Sequence, residues 1–181
     1  MKKMKTLTKN FYTKTLTIKD SEIIEQLFQQ AKDYFLLSAN QPPSKQTITS
    51  FFQDVPPNKT SEDKLSLGLF IRENELIAVA DIIKNFPKES TWIIGLLLIA
   101  PKYRGQNIGF LWHEELEKLA FTNGADTLQL GVVKQNEKAR HFWQNQGYVI
   151  ENEIQSEVAG KRVIIVRMKK ELHKKASFCL K

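Results

Sequence analysis

Cysteine is almost absent. Cys179 is the only one in 181 residues, so the chain holds no intrachain disulfide and no cysteine-based metal cluster, and no metal is expected. Long apolar runs are missing too. Nothing approaches the length that crosses a bilayer, and Met1-Lys2-Lys3-Met4-Lys5 leads into a polar segment instead of the apolar core of a secretion signal. A cytoplasmic protein without membrane contact is expected. Two phosphate-binding signatures are also missing, the Gly-x-Gly-x-x-Gly dinucleotide fingerprint and the Gly-x-x-x-x-Gly-Lys-Ser/Thr loop. No internal repeat, low-complexity segment or linker interrupts the sequence. With 41% hydrophobic residues the chain supports one core, so a single domain over residues 1-181 is expected.

The net charge of +7 invites a nucleic-acid reading, and its location argues against one. Nine lysines and one glutamate sit in residues 1-9 and 169-181, which leaves the body between them close to neutral. A nucleic-acid domain carries its basic stripe on a folded face, whereas chain ends are usually mobile. The ends, 1-9 and 170-181, are therefore expected to be solvated basic tails. Lys102, Arg104, Lys134, Lys138 and Arg140 form a second basic group around the two motifs described below, suited to a ligand bearing several phosphates.

Hydrophobic periodicity lays out the elements. Leu7 to Ile18 reads as a strand, and Asp20 or Ser21 caps a helix whose apolar positions Ile23, Ile24, Leu27, Phe28, Ala31 and Phe35 follow the 3.6 period. A short helix covers Thr47 to Gln53 between Pro42-Pro43 and Pro56-Pro57. Three strand-like runs follow, Leu65 to Arg72, Leu76 to Lys84 and Trp92 to Ile99, joined at Glu73-Asn74 and Lys88-Glu89-Ser90. A helix from Asn107 to Asn123 carries Ile108, Leu111, Trp112, Leu116, Leu119 and Ala120 on one stripe. Then come a strand from Ala125 to Val133, a helix from Glu137 to Gln146, and a hairpin of Tyr148 to Ile154 and Val163 to Met168 turned at Ala159-Gly160. Antiparallel strands followed by a strand-helix-strand crossover make a mixed α+β sheet. Trp92, Trp112, Phe110, Phe121 and the Phe51-Phe52 pair read as core, and His113 and His141, lying beside the stripes of their helices, read as solvated.

The turn Arg104-Gly105-Gln106-Asn107-Ile108-Gly109 joins an apolar strand directly to an amphipathic helix. The first helical N–H groups have no carbonyl partners there, and the helix dipole adds about half a positive charge, an environment that fits a phosphate. Gly105 and Gly109 open the backbone to close approach, and Arg104 adds a forked donor. The spacing resembles the coenzyme A loop of the GNAT superfamily of acyl-CoA N-acyltransferases, Arg/Gln-x-x-Gly-x-Gly/Ala. Asn107 replaces the first paired glycine; asparagine tolerates left-handed backbone angles and is a good helix N-cap. Asn136, Ala139, Trp143, Gly147 and Tyr148 resemble the family's second motif, Asn-x-x-Ala-x-x-x-Tyr-x-x-x-Gly-Phe. The two motifs occur in family order, separated by the strand-like run Thr127 to Val133.

The resemblance implies a mostly antiparallel twisted sheet of about seven strands with helices on both faces, its fourth and fifth strands parting to admit the pantetheine arm. It implies transfer of an acetyl group from acetyl-CoA to a primary amine of a small molecule or peptide, by direct attack in a ternary complex. Leu97, Leu98, Ile99, Arg104, Gly105, Gln106, Asn107, Ile108, Gly109, Asn136, Ala139, Phe142 and Trp143 would contact the coenzyme, and the main-chain N–H near Leu98 or Ile99 would polarise the thioester carbonyl. Two departures stand out. The family tyrosine that protonates the departing sulfur aligns with Trp143, whose indole N–H donates hydrogen bonds but is no general acid. A thiol with a pKa of about 8.5 can leave unassisted. The family glutamate near the start of the central strand corresponds to Trp92 or Ile93.

Among the carboxylates, Asp81 interrupts the apolar run Ile77 to Ile83. A charge there needs a partner or a task, so Asp81 is a candidate for binding the substrate ammonium or taking its proton, with a salt-bridged or edge position as the structural alternative. Tyr34, with Asp33, is the weaker candidate for the acceptor site, and the irregular region around Pro42 to Lys59 is where acceptor specificity is expected. Two other readings stay open at this level: a non-catalytic acyl-CoA binding module, and a basic scaffold using its ends. Either a monomer or a homodimer is compatible with the sequence.

Overall fold

The computed structural model describes residues 11–71, 75–158 and 160–172. The start of the first expected strand, the Glu73-Asn74 turn, Ala159, Cys179 and most of the basic ends lie outside them. Among the described residues seven strands form one sheet: β1 Phe11–Thr15, β2 Lys64–Ile71, β3 Glu75–Ile83, β4 Thr91–Ile99, β5 Thr127–Val133, β6 Val149–Val158 and β7 Lys161–Glu171. Their spatial order is β1-β2-β3-β4-β5-β7-β6, and every neighbouring pair is antiparallel except β4 and β5. The expected mixed α+β class is what the chain adopts.

Among the described residues five α-helices cover the sheet: α1 Ser21–Gln30, α2 Lys32–Ala39, α3 Lys45–Gln53, α4 Ile108–Thr122 and α5 Glu137–Asn145. The single helix expected from residue 20 to beyond Phe35 is two. Ala31 breaks it at φ −96°, ψ 27°; its side chain is fully buried, so the apolar stripe runs unbroken across a point where the axis changes.

The alternation of each strand divides the apolar residues between two cores. On one face, Ile24, Leu27 and Phe28 of α1, Phe35 of α2 and Ile48 and Phe51 of α3 pack on Phe70, Val79 and Leu98. On the other, Trp112, Leu116 and Ala120 of α4 and Trp143 of α5 pack on Ala78, Ala80, Trp92, Ile94, Leu128 and Val166. Trp92 and Trp112 are core as expected. Phe110 and Phe121 are not, being 41% and 37% exposed: two and one residues off the Ile108–Trp112–Leu116–Ala120 line, they rotate away from the sheet.

Candidate active site

The central feature is a split between β4 and β5. Their parallel pairing runs from Thr91↔Thr127 only to Ile94↔Leu130 and then stops. Just past that point the β3–β4 register shifts, with Asp81 opposite Leu96 and Ile82 opposite Ile94, so Gly95 is an extra residue on β4. A bulge of this kind bends the strand and increases its twist, turning Leu96 to Ile99 away from β5. The parting expected from the resemblance is present. It leaves a cleft of about 130 Å³ lined by Gly95, Leu96 and Leu97 on one side and Gly131, Val132 and Val133 on the other, with Tyr34 and Ser38 of α2 at one mouth and Asn136, Ala139 and Trp143 at the other.

The backbone of β4 points usable donors into this gap. Ala100 N–H donates to the Ile77 carbonyl on the β3 side, and Leu98, two residues earlier, pairs with Val79 in the same phase. Alternation directs the N–H groups of Leu97 and Ile99 the other way, toward the split. The Ile99 carbonyl does face away from β3, where it accepts from Arg104 Nε at 3.0 Å.

At the end of β4 a 3-10 turn, Pro101–Tyr103, leads to the loop before α4. Gly105 takes φ +73° and Asn107 φ 60°, ψ 4°, the left-handed angles that the Gly-to-Asn replacement was expected to allow. The Asn107 side chain, against expectation, makes no cap; its left-handed backbone aims it elsewhere. The first helical bond runs from Leu111 N–H to the Asn107 carbonyl, so the amides of Ile108, Gly109 and Phe110 open the helix without a carbonyl partner. At Gly109 a Cβ would lie 3.4 Å from the Phe142 ring and 3.7 Å from Ile99, ordinary contact that leaves no room for a larger branched side chain.

Arg104 is not the free fork expected of it. Its two terminal nitrogens grip both carboxylate oxygens of Asp33, and Nε holds the Ile99 carbonyl. The guanidinium beside Asp33 holds that carboxyl below the usual value of 3.8. Arg104 thus ties the coenzyme-loop candidate to the first turn of α2, next to Tyr34.

Asp81 sits where β3 passes the bulge, its Oδ2 3.3 Å from where a Gly95 Cβ would be. Lys64 Nζ lies 2.8 Å from that oxygen and is itself buried, donating also to the Asp54 carbonyl. Oδ1 is buried without a hydrogen-bond partner among the described residues. Burial raises the Asp81 pKa above the ordinary carboxylate value; Lys64 opposes the rise only in part, and the nearby Asp54 adds to it. A carboxylate so placed, with one unsatisfied oxygen, has capacity for a proton or a second cation.

A sequence model of the Acetyltransferase (GNAT) family matches residues 22–148. The chain belongs to that family. It is an acetyltransferase by that membership, and the fold agrees. An acetyltransferase from Thermus thermophilus superposes with a TM-score of 0.70 at 22% identity over 90% of this chain and 97% of that one. The ribosomal-protein-S18-alanine N-acetyltransferase from Escherichia coli gives 0.68 at 17% identity over 94% and 99%. A spermidine N-acetyltransferase from Vibrio cholerae, in complex with CoA and spermine, gives 0.69 at 17% identity over 90% and 96%. A search of curated proteins finds no match.

Within this GNAT frame the structure places five of the sequence-derived candidates around one cleft. Leu97, Asn136, Ala139, Trp143 and Tyr34 line it; Leu98 turns instead into the α1–α3 core. The Asn136 carboxamide also caps α5 by accepting from Ala139 N–H at 3.1 Å. Trp143 is buried, with Phe142, His113 and Tyr148 edge-on around its ring. Tyr34 is pushed above its usual pKa by burial. Among the described residues no group of three or more His, Cys, Asp or Glu could hold a metal, and no helix is long and apolar enough to cross a membrane.

His113 corrects the sequence reading. It is completely buried, with Nδ1 3.1 Å from Gln146 Oε1 and Nε2 3.0 Å from Tyr148 Oη. One helical period describes contact with one surface, whereas α4 packs both on the sheet and against the end of α5; His113 faces the second. His141 is exposed as expected. Gly95 and Lys64 were missed. A glycine inside an apolar strand is a bulge signal and could have revealed the first; nothing local marks Lys64 as the partner of Asp81.

Proposed function

We propose that this acetyltransferase moves an acetyl group from acetyl-CoA to a primary amine of a small molecule or peptide, by direct attack with both substrates bound. The observation that carries the reading is the split past Ile94: the Leu97 and Ile99 amides face it, Gly95 on its wall backs onto Asp81, and the open amides of α4 follow the end of β4. The residues present fit the coenzyme: the α4 turn offers three amides and the dipole to a diphosphate, Gly105 and Asn107 give that backbone its left-handed shape, and the split accepts a narrow arm. When bound, acetyl-CoA supplies the acyl group as a thioester.

The protein's own part is positioning and charge. The Ile99 N–H, aided by Leu97, donates to the carbonyl oxygen as negative charge grows there. An alkylammonium with a pKa of about 10.4 has no lone pair at neutral pH, so Asp81 binds it through the unsatisfied oxygen and takes its proton. The nitrogen then attacks, the C–N bond forms and the C–S bond breaks, and the second proton shed by the nitrogen leaves to water or to the departing thiolate. Trp143 and Phe142 wall the arm and exclude water; the thiolate leaves without a tyrosine acid. Arg104 acts by fixing α2 to the loop.

Calorimetry with acetyl-CoA, followed by thiol release across a panel of primary amines, tests the reading. Binding together with amine-dependent thiol release is expected. A folded protein that gives no heat with acetyl-CoA or CoA would refute it.

A further inference from the structure

A second groove, of about 160 Å³, lies on the α1–α3 face of the sheet, beside the cleft. Phe86, Pro87, Ile93 and Ile165 give it apolar walls, and Gln129 and Arg167 are its polar members. It adjoins the first cleft, since Leu130 and Gly131 line both. Among the described residues no helix covers this part of the sheet: α1, α2 and α3 pack over the strands on the β4 side of the split. Strand alternation agrees with the placement, since Leu130, Val132, Val166 and Met168 point to the opposite core and Gln129, Gly131, Ile165 and Arg167 therefore share this face.

Arg167 is the distinctive group. The neighbouring cations are paired, Lys169 with Glu151 at 3.4 Å and Lys134 with Glu153 at 2.8 Å, whereas Arg167 makes no ion pair among the described residues. Its cross-strand partner on β5 is Gly131 and on β6 Asn152, so neither neighbour supplies a carboxylate. An exposed guanidinium at the edge of an apolar groove is well suited to a planar anion, which it binds with two parallel hydrogen bonds. Arg167 thus stands on one side of the split, while Asp81, held by Lys64 through one oxygen and with the other unsatisfied, lies behind Gly95 on the opposite side.

We propose that the acceptor is an amine that also carries a carboxylate, with its amine in the split beside Asp81 and its carboxylate on Arg167. This deepens the proposed function and rests on its placement of the amine. Asp81 on β3 and Arg167 on β7 stand three strand steps apart, roughly 15 Å between backbones, and their side chains span part of that, so the two charged groups of the acceptor lie on the order of 10 Å apart. A polyamine would set a second cation against Arg167, and the like charges would reject it.

Triglycine, triglycinamide and spermidine test this in a thiol-release assay at saturating acetyl-CoA. The expected kcat/KM for triglycine is about 10-fold above that for triglycinamide, the value of one charge-assisted contact, with spermidine lowest. Arg167→Gln should equalise the two peptides, and Arg167→Glu should reverse their order while leaving acetyl-CoA affinity unchanged. Equal use of the two peptides by the wild type, or a preference that survives Arg167→Gln, overturns the inference. If none of the three releases thiol, titration of triglycine into the CoA-saturated protein decides: binding lost in Arg167→Gln supports it and no binding ends it. Failure to bind acetyl-CoA at all would count against the parent reading instead.

Discussion

At its α5 end the cleft is walled by Asn136, Ala139 and Trp143 of one short stretch of chain, and a second short stretch, residues 104–109, leads from the end of β4 into α4. Behind its Tyr34 and Gly95 walls the cleft is backed by groups far apart in sequence: Arg104 grips Asp33 across 71 residues, and Lys64 reaches Asp81 across 17. The first end works through backbone, with amides, left-handed angles and bare glycines. The second works through side-chain charge held in a partly dry setting, and its strength depends on who the neighbour is. Backbone geometry is encoded locally, whereas charge pairing is decided when distant segments meet. The two ends should therefore respond differently to substitution, pH and denaturant.

The largest expected difference comes from Asp81→Asn. Loss of a proton acceptor should lower kcat about 100-fold, with acetyl-CoA affinity changed less than about 2-fold; thiol release and calorimetry on one preparation separate the two. The pH profile sharpens this. Burial raises the Asp81 pKa, and the basic form is the active one, so activity should rise with pH through a limb above the ordinary carboxylate range, and that limb should vanish in the variant. Stability runs with the opposite sign, because folding disfavours the ionised form. The contribution of Asp81 is full below about 3.8 and is lost as pH rises through its folded value. A kcat unchanged by Asp81→Asn would return this carboxylate to a purely structural pairing with Lys64.

Next in size is His113→Leu, which leaves Gln146 and Tyr148 facing an apolar side chain in a buried site. About 2–5 kcal/mol of unfolding free energy should be lost, read as a lower urea midpoint. A loss under about 0.5 kcal/mol would mean that the network is not satisfied as the geometry shows. Gly109→Val probes the backbone end. Its branches would press on Phe142 and into the space before the α4 amides, and acetyl-CoA affinity should fall about 10-fold, as overpacking on this scale predicts, with kcat at saturation little changed. Equal affinity in a folded variant would move the diphosphate elsewhere.

The smallest effect is expected at Asp33. Arg104 lowers its pKa, so the tie is fully formed above about 3.8 and is lost as pH falls through the lower folded value. The side chain is 61% exposed, and solvent screens the pair. Asp33→Asn should raise the KM for the amine modestly and leave acid unfolding nearly unchanged. A large shift in the acid midpoint would show that α2 is held mainly by this pair.

The order and type of nearly every element, the turn at 104–109, the Asn136 motif and the suspicion attached to Asp81 could be read from the residues, because apolar period, turn chemistry and a charge within an apolar strand are properties of adjacent positions. The same information led to one helix where Ala31 makes two, to a solvated His113, and to buried Phe110 and Phe121. Each of those errors concerns which surface a side chain meets, and period alone names only one surface per helix. The partner of Arg104, the partner of Asp81, the bulge at Gly95 that opens the sheet, and the open groove at Arg167 were settled by tertiary structure. Long-range pairing depends on where separate segments come to rest, and no local pattern carries those distances.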